Sequence, residues 1–217
     1  MSDYKYILFD LDGTITEPGL GITNSIMYAL NKMGISVSDR SELYKFIGPP
    51  LWESFQNFYG FSNDEADKAV EYYREYYKDK GMLECTINEG IEPLLQNLRT
   101  NGKSLIVATS KPEIFAKQVL SNFNLDSYFN YIAGSNLDRT RSEKDEVISY
   151  ALESCKINDK QFAIMIGDRK HDITGARKNN IRSIGVLFGY GSREELENAG
   201  ADYIAENAKD IDAILLN

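Results

Sequence analysis

Short apolar runs alternate with amphipathic stretches along most of the chain. Five runs have the apolar character of buried strands: residues 6–9, 105–108, 131–133, 162–166 and 183–188. Stretches with helical periodicity and recognisable caps lie between and after them: 91–99, 112–123, 142–155, 172–180 and 209–216. Because strands that alternate with helices form parallel sheets, the pattern predicts an α/β fold with a doubly wound parallel sheet.

Residues 16–84 interrupt this alternation. They contain no clear strand and have helical periodicity over 20–33, 38–46, 51–59 and 63–80. The sequence therefore predicts an α/β catalytic core of residues 1–15 and 85–217, with an inserted four-helix cap domain over 16–84. An insertion directly after the first strand is expected beside the carboxyl ends of the strands, where open α/β sheets bind ligands.

Composition narrows the class of function. The net charge of −9 argues against nucleic-acid and anionic-membrane partners. The two cysteines, Cys85 and Cys155, lack metal or redox spacing, and the single histidine, His171, excludes multi-histidine metal sites. No signal peptide or run of about 20 apolar residues is visible, which predicts a cytoplasmic location.

Two acids follow the first predicted strand. Asp10 and Asp12 leave its end two positions apart, and Gly13 allows the chain to turn sharply there. Carboxylates beside a core are costly unless a cation or hydrogen bonds compensate them. The pair therefore predicts partners elsewhere in the chain.

Polar groups also follow later strands. Thr109, Ser110 and Lys111 come after the second predicted strand, and Asp168 follows the fourth. Asp172 comes four residues later, and Lys144 opens the helix before the fourth strand. Each alone has an ordinary explanation as a helix cap or a surface residue. At one edge of a parallel sheet, these acids, hydroxyls and ammonium groups together predict a site for a divalent cation and a phosphate.

These residues make the chain resemble the haloacid dehalogenase superfamily of phosphotransferases. Asp-Leu-Asp-Gly-Thr (10–14) is similar to the family's first motif, Thr109 to the second, Lys144 to the third and Gly-Asp-Arg-Lys-His-Asp (167–172) to the fourth. The resemblance covers the whole chain and implies a Rossmann-like core with a helical cap. The segments 189–196 and 199–204 resemble the phosphoglycolate phosphatase and 5′-nucleotidase-like branch.

The resemblance implies a Mg²⁺-dependent phosphomonoester hydrolase that works through an aspartyl-phosphate. Asp10 would be the nucleophile, and Asp12 the general acid and then the general base. The Mg²⁺ ion would bind the Asp10 carboxylate, the Asp12 main-chain carbonyl and Asp168.

The resemblance also implies the groups that bind substrate. Thr109, Lys144 and the backbone N–H of Ser110 would hold phosphate oxygens, with Lys111 as an alternative phosphate lysine. Asp172 would orient metal-bound waters or Lys144. Gly48, in the cap loop 46–50, would approach the leaving group.

The expected partner is a small phosphorylated metabolite, such as a nucleoside 5′-monophosphate or phosphoglycolate. Glu17-Pro18 departs from the phosphoglycolate phosphatase pattern and weakens that assignment. One alternative is a phosphomutase of the β-phosphoglucomutase type, which usually has a histidine after the first motif; residues 15–30 contain none. Another is a catalytically silent binding module on the same fold. The sequence leaves the physiological substrate and the oligomeric state open.

Overall fold

The computed structural model describes residues 4–138 and 140–216 of the chain. Among these residues, the strands are β1 (Tyr6–Phe9), β2 (Thr16–Glu17), β3 (Thr86–Ile87), β4 (Ser104–Pro112), β5 (Tyr131–Ser135), β6 (Ala163–Gly167), β7 (Arg182–Val186) and β8 (Tyr203–Ala205). The α-helices are α1 (Gly19–Lys32), α2 (Leu51–Tyr59), α3 (Asn63–Asp79), α4 (Ile91–Thr100), α5 (Glu113–Asn122), α6 (Lys144–Ser154), α7 (Lys170–Lys178), α8 (Arg193–Ala199) and α9 (Ala208–Leu216). Short 3-10 helices span Arg40–Phe46, Gly81–Leu83, Asp126–Tyr128 and Lys160–Phe162.

The larger of two compact units, Met1–Glu17 with Ile87–Asn217, contains a six-stranded sheet in the order β5-β4-β1-β6-β7-β8. Every pairing in this sheet is parallel. From the central β1 the chain winds through β4 to β5 on one side, and through β6 and β7 to β8 on the other. The predicted doubly wound α/β fold is therefore confirmed, and the carboxyl ends of the strands share one edge.

Strand β1 is the centre of the core. Its residues Ile7, Leu8 and Phe9 have no exposed surface, as is typical of a parallel strand buried on both faces. Leu8 belongs to a cluster of buried side chains contributed by β4, β5, β6, α6 and α7. Because β1 is paired on both edges and packed on both faces, it holds the backbone of the next residue, Asp10, in a fixed position.

Residues Pro18–Thr86 form the second compact unit, in which α1 and α2 pack against α3. Helix α3 begins with a capping box, because the Ser62 hydroxyl accepts the Glu65 N–H and the Glu65 carboxylate accepts the Ser62 N–H. The rings of Phe46 and Phe55 pack edge to face, with centroids 5.2 Å apart. This unit therefore has its own apolar centre.

The sheet differs from the sequence-based expectation at its ends. It has a sixth strand, β8, which was not predicted although its sequence, Tyr-Ile-Ala, is the same as that of the predicted run 131–133; only Ala205 of β8 is buried. Strand β4 continues beyond residue 108 to Pro112, after a register shift between Ala108 and Pro112. The polar residues of this continuation conceal it from a search for apolar runs. The predicted strand 183–188 ends at Val186.

The helices also differ from the prediction in detail. The stretch 38–46 is the 3-10 helix Arg40–Phe46 rather than an α-helix, and its seven residues make it long for a helix of this type. Helix α8 was not predicted, because its charged sequence buries only Leu196 and Ala199. The second compact unit spans Pro18–Thr86, and the predicted cap spans 16–84. No helix among the described residues is long and apolar enough to cross a membrane.

Replacing Ile164 by alanine should lower the free energy of unfolding by about 2–5 kcal/mol. Ile164 lies in β6 beside Ile7 and has no exposed surface, so its removal leaves a cavity in the core. Urea denaturation followed by circular dichroism measures the change. The matched control is Ile114→Ala, whose side chain is 52% exposed on α5 and should change stability by less than about 0.5 kcal/mol. Equal losses in the two variants would contradict this placement of β6.

Candidate active site

The end of β1 turns sharply and places two acids at the carboxyl edge of the sheet. The Asp10 N–H still donates to the Ile166 carbonyl at 2.9 Å, which continues the pairing of β1 with β6. The next carbonyl, that of Leu11, accepts the N–H groups of Ile15 and Thr16 at 2.9 Å. Gly13 takes the left-handed φ of 87° that this turn requires. Asp10 is consequently buried beside the core.

Lys144, the first residue of α6, bridges two of the acids. Its Nζ atom lies 2.7 Å from Asp10 Oδ1 and 2.8 Å from Asp172 Oδ1. It also donates a hydrogen bond to the Ala108 carbonyl at 3.3 Å. Burial alone would lower the pKa of Lys144, but the carboxylates of Asp10 and Asp172 raise it above its ordinary value. The side chain is therefore a buried ammonium group.

Asp168 follows β6 and has no exposed surface. Its Oδ2 accepts the Tyr190 N–H at 2.7 Å, and its Oδ1 lies 3.5 Å from the Thr14 hydroxyl. Burial, with the nearby carboxylates of Asp172 and Asp10, raises the pKa of Asp168 well above its ordinary value. The carboxylate form is therefore costly here unless positive charge is added.

Asp172 lies on the first turn of α7, and its Oδ2 accepts the Arg169 N–H at 3.0 Å. Burial raises the pKa of Asp172 to about 6, opposed by the Lys144 ammonium and reinforced by Asp10. One carboxylate oxygen from each of Asp10, Asp168 and Asp172 lies within 4.8 Å of the others. Asp172, expected only to orient its neighbours, thus belongs to the same cluster as two of the predicted metal ligands.

This cluster fits a hard divalent cation. The Oδ1 atoms of Asp10 and Asp172 are buried and accept no well-aligned hydrogen bond from the described residues, although Lys144 lies at ion-pair distance from both. Carboxylate oxygens are the donors that Mg²⁺ and Ca²⁺ prefer. A cation there would use free lone pairs and offset the repulsion that raises the pKa values of Asp168 and Asp172.

The residues after position 108 lie on the continuation of β4. Thr109 is buried, and its Oγ1 accepts the Lys111 N–H at 3.3 Å. Ser110 is partly exposed. Lys111 is buried, and its Nζ donates to both carboxylate oxygens of Asp12, at 2.9 and 2.6 Å. The structure thus pairs Lys144 with Asp10, and Lys111 with Asp12.

Gly48 lies in the second unit, in the turn between the 3-10 helix and α2, with a left-handed φ of 106°. Its role toward substrate stays a prediction.

One contributor to the site was not predicted from the sequence. Tyr190, after β7, holds Asp168 through its backbone N–H and donates its hydroxyl to Glu17. Because any residue except proline carries a backbone N–H, the identity of residue 190 does not indicate that its N–H binds Asp168. The glycines on either side of Tyr190 do indicate close packing there, because a Cβ on Gly189 would lie 2.3 Å from the Asp168 Cβ.

Fold and site together define the class of protein. It is an α/β protein whose acids and lysines meet at the carboxyl edge of a doubly wound sheet. The family model for haloacid dehalogenase-like hydrolases matches residues 7–186, and the chain belongs to this family.

Individual proteins are similar to this chain over most of its length. A 5′-nucleotidase from Pseudomonas aeruginosa is 45% identical over 89% of this chain and 87% of its own length. The crystal structure of a predicted phosphatase from Clostridium acetobutylicum has a TM-score of 0.96 and 52% identity, covering 98% of each chain. The tyrosine-protein kinase PtkA of Mycobacterium tuberculosis is 34% identical over 94% of this chain and 69% of its own length. The chain is a phosphatase of the haloacid dehalogenase-like type.

Replacing Gly13 by alanine should lower the free energy of unfolding by about 2–4 kcal/mol, the cost of a left-handed alanine plus a steric clash. The new Cβ would lie 2.4 Å from Asp168 Oδ2. Gly102→Ala is the matched control, because Gly102 also has a positive φ but has nothing within 4 Å of such a Cβ. It should lose only about 1 kcal/mol. Denaturant unfolding measures the stability of both variants. Equal losses of stability would mean that Asp168 does not lie close enough to Gly13 to clash with a new Cβ.

Proposed function

We propose that this phosphatase is a Mg²⁺-dependent phosphomonoester hydrolase that acts on small phosphorylated metabolites through an aspartyl-phosphate intermediate. One observation carries the proposal. Three buried carboxylates converge within 4.8 Å, and two of them, Asp10 and Asp172, hold oxygens that accept no aligned hydrogen bond from the part of the chain that the structure describes. A fourth acid, Asp12, lies two residues from the proposed nucleophile and is paired separately. Such an arrangement suits a cation, a nucleophile and a separate proton carrier.

Asp10 is the nucleophile in this proposal. A carboxylate oxygen of Asp10 attacks phosphorus, and the bond from phosphorus to the leaving-group oxygen breaks. The rigid end of β1 supports this role, because a nucleophile must be held in line with the bond that breaks. Lys144, at 2.7 Å from Asp10 Oδ1, supplies positive charge where the phosphoryl group would be transferred.

Asp12 carries the proton in both half-reactions. As the acid, it gives its proton to the leaving alkoxide. As the carboxylate, it then takes a proton from water, whose oxygen attacks phosphorus and breaks the bond to Asp10. Inorganic phosphate leaves, and Asp10 returns to its starting form.

The remaining groups hold the phosphate and the cation. The Thr109 hydroxyl and the Ser110 backbone N–H are the proposed donors to phosphate oxygens, beside Lys144. Asp10, the Asp12 carbonyl and Asp168 would hold Mg²⁺, and the position of Asp172 in the cluster makes it a further candidate ligand. When bound, the cation would offset repulsion between the anionic nucleophile and the anionic phosphate.

Nucleoside 5′-monophosphates are the first substrates to test. The relative named a 5′-nucleotidase, at 45% identity, supports them. Phosphoglycolate belongs in the same panel, although Glu17-Pro18 departs from the pattern of its phosphatases. Hydrolysis is favoured over mutase chemistry because residues 15–30 lack a histidine. A cytoplasmic location, and partners that include neither nucleic acid nor membrane, remain predictions from the sequence.

Purified protein should release inorganic phosphate from 4-nitrophenyl phosphate and from nucleoside 5′-monophosphates, and EDTA should abolish this release until Mg²⁺ is restored. Asp10→Asn should lower kcat by more than about 10³-fold, since it removes the nucleophile. A parallel reaction with ATP and a tyrosine-containing peptide tests the activity named for the mycobacterial relative. Absence of turnover on every phosphoester, or phosphopeptide formation without hydrolysis, would contradict the proposal.

Asp12→Asn should separate catalysis from cation binding. The variant should lose about 10²–10⁴-fold in kcat, because its amide cannot carry the proton. Mg²⁺ should still raise its melting temperature as in the wild type, since the proposed ligand at this position is the main-chain carbonyl. Asp168→Asn is the comparison variant and should lose most of the Mg²⁺-dependent shift. Loss of the shift in Asp12→Asn as well would rule out this division of roles.

A further inference from the structure

The buried Lys111 and the partly buried Asp12 form an ion pair beside the proposed nucleophile. The Lys111 Nζ donates to both Asp12 oxygens, at 2.9 and 2.6 Å. The side chains are only 5% and 14% exposed, respectively. Lysine is rarely buried, so this placement needs a physical reason.

The backbone of Lys111 is held on two sides. Its N–H donates to the Thr109 hydroxyl at 3.3 Å. On the neighbouring strand β5, a Cβ on Gly134 would lie 2.6 Å from the Lys111 carbonyl oxygen, so only glycine leaves room for this chain path. The register shift in β4 lies over the same residues. The Lys111 side chain therefore extends from a backbone that is held in place.

Stability alone is a poor explanation for this ion pair. Removing two charges from water costs about as much as their attraction returns, so a buried pair of this kind is often no more stabilising than apolar residues of the same size. What the pair does provide is orientation. A single ammonium bonded to both oxygens restricts rotation of the Asp12 carboxylate about its side-chain bonds.

We propose that Lys111 is a positioning residue for Asp12, orienting its carboxyl group so that, as the acid, it gives a proton to the leaving group and, as the carboxylate, it then takes one from water. The inference rests on the proposed function, in which Asp12 carries that proton. It also assigns the two lysines different tasks. Lys144 contacts Asp10 and Asp172 and serves phosphoryl transfer, whereas Lys111 contacts Asp12 and serves proton transfer.

The test compares kcat/KM for two substrates whose leaving groups differ in their need for a proton. A nucleoside 5′-monophosphate releases an alkoxide, which must be protonated, while 2,4-dinitrophenyl phosphate releases a stable anion. In Lys111→Met, kcat/KM for the nucleotide should fall by about 10²-fold, as expected when general acid catalysis is lost. For the dinitrophenyl ester it should fall by less than about threefold, because that leaving group needs no acid.

A double-mutant cycle makes the test specific to Asp12. If Lys111 acts through Asp12, then Lys111→Met should have almost no further effect on the nucleotide reaction in the Asp12→Asn background. The double variant removes both charges of the ion pair. It can therefore still be compared with Asp12→Asn if Lys111→Met alone is unstable. Lys111→Gln offers a second single variant that retains a hydrogen-bond donor.

Lys117→Met is the matched control. Lys117 lies on α5 and forms an exposed ion pair with Glu113, so its loss should change neither substrate's kcat/KM.

Four outcomes would overturn the inference. Equal losses of kcat/KM for the two esters would indicate a general structural role for Lys111. The same nucleotide loss with and without Asp12 would indicate that Lys111 contacts the substrate itself. Wild-type protein without turnover on either ester would overturn the proposed function together with this inference, whereas normal wild-type turnover with unchanged ester preference in Lys111→Met would overturn the inference alone.

Discussion

Repulsion among buried carboxylates is the constraint on which this site depends. Asp10, Asp12, Asp168 and Asp172 gather at the carboxyl edge of one sheet, and two ammonium groups lie among them. The remaining negative charge is that of two carboxylates, which one divalent cation would balance. The pKa values of Asp168 and Asp172 are raised in part by this uncompensated negative charge.

The fold supplies what such a cluster needs in order to remain in place. A central strand buried on both faces fixes Asp10, and the first residue of α6 and the first turn of α7 bring in Lys144 and Asp172. Side-chain atoms at Gly13 and Gly189 would overlap Asp168, so glycine at both positions lets two loops close around that carboxylate. Charge and close packing therefore depend on each other: loops packed this tightly exclude water, which makes compensation of the charges more important.

The sequence predicts those parts of this arrangement that depend on the chemical type of a residue. The strand before Asp10 is a continuous apolar run, and the acids and Lys144 are chemically distinctive at the ends of elements. Helix α8 was missed because only two of its residues are apolar, whereas the short Tyr-Ile-Ala run of β8 was not predicted although the same run was predicted at 131–133. The pairing of Lys111 with Asp12 joins residues 99 positions apart, and Lys111 lies where the register of β4 shifts. No local pattern encodes such a shift, so the sequence ranked Lys111 only as a substitute for Lys144.

The most direct test of the account is the position of a divalent cation. Crystals grown with Mn²⁺, which scatters anomalously and binds oxygen ligands like those of Mg²⁺, should show one anomalous peak per site. The account predicts that peak within about 2.0–2.6 Å of carboxylate oxygens of Asp10 and Asp168, the range for hard divalent cations. An anomalous map without a peak at these acids, or with its peak elsewhere, would contradict it.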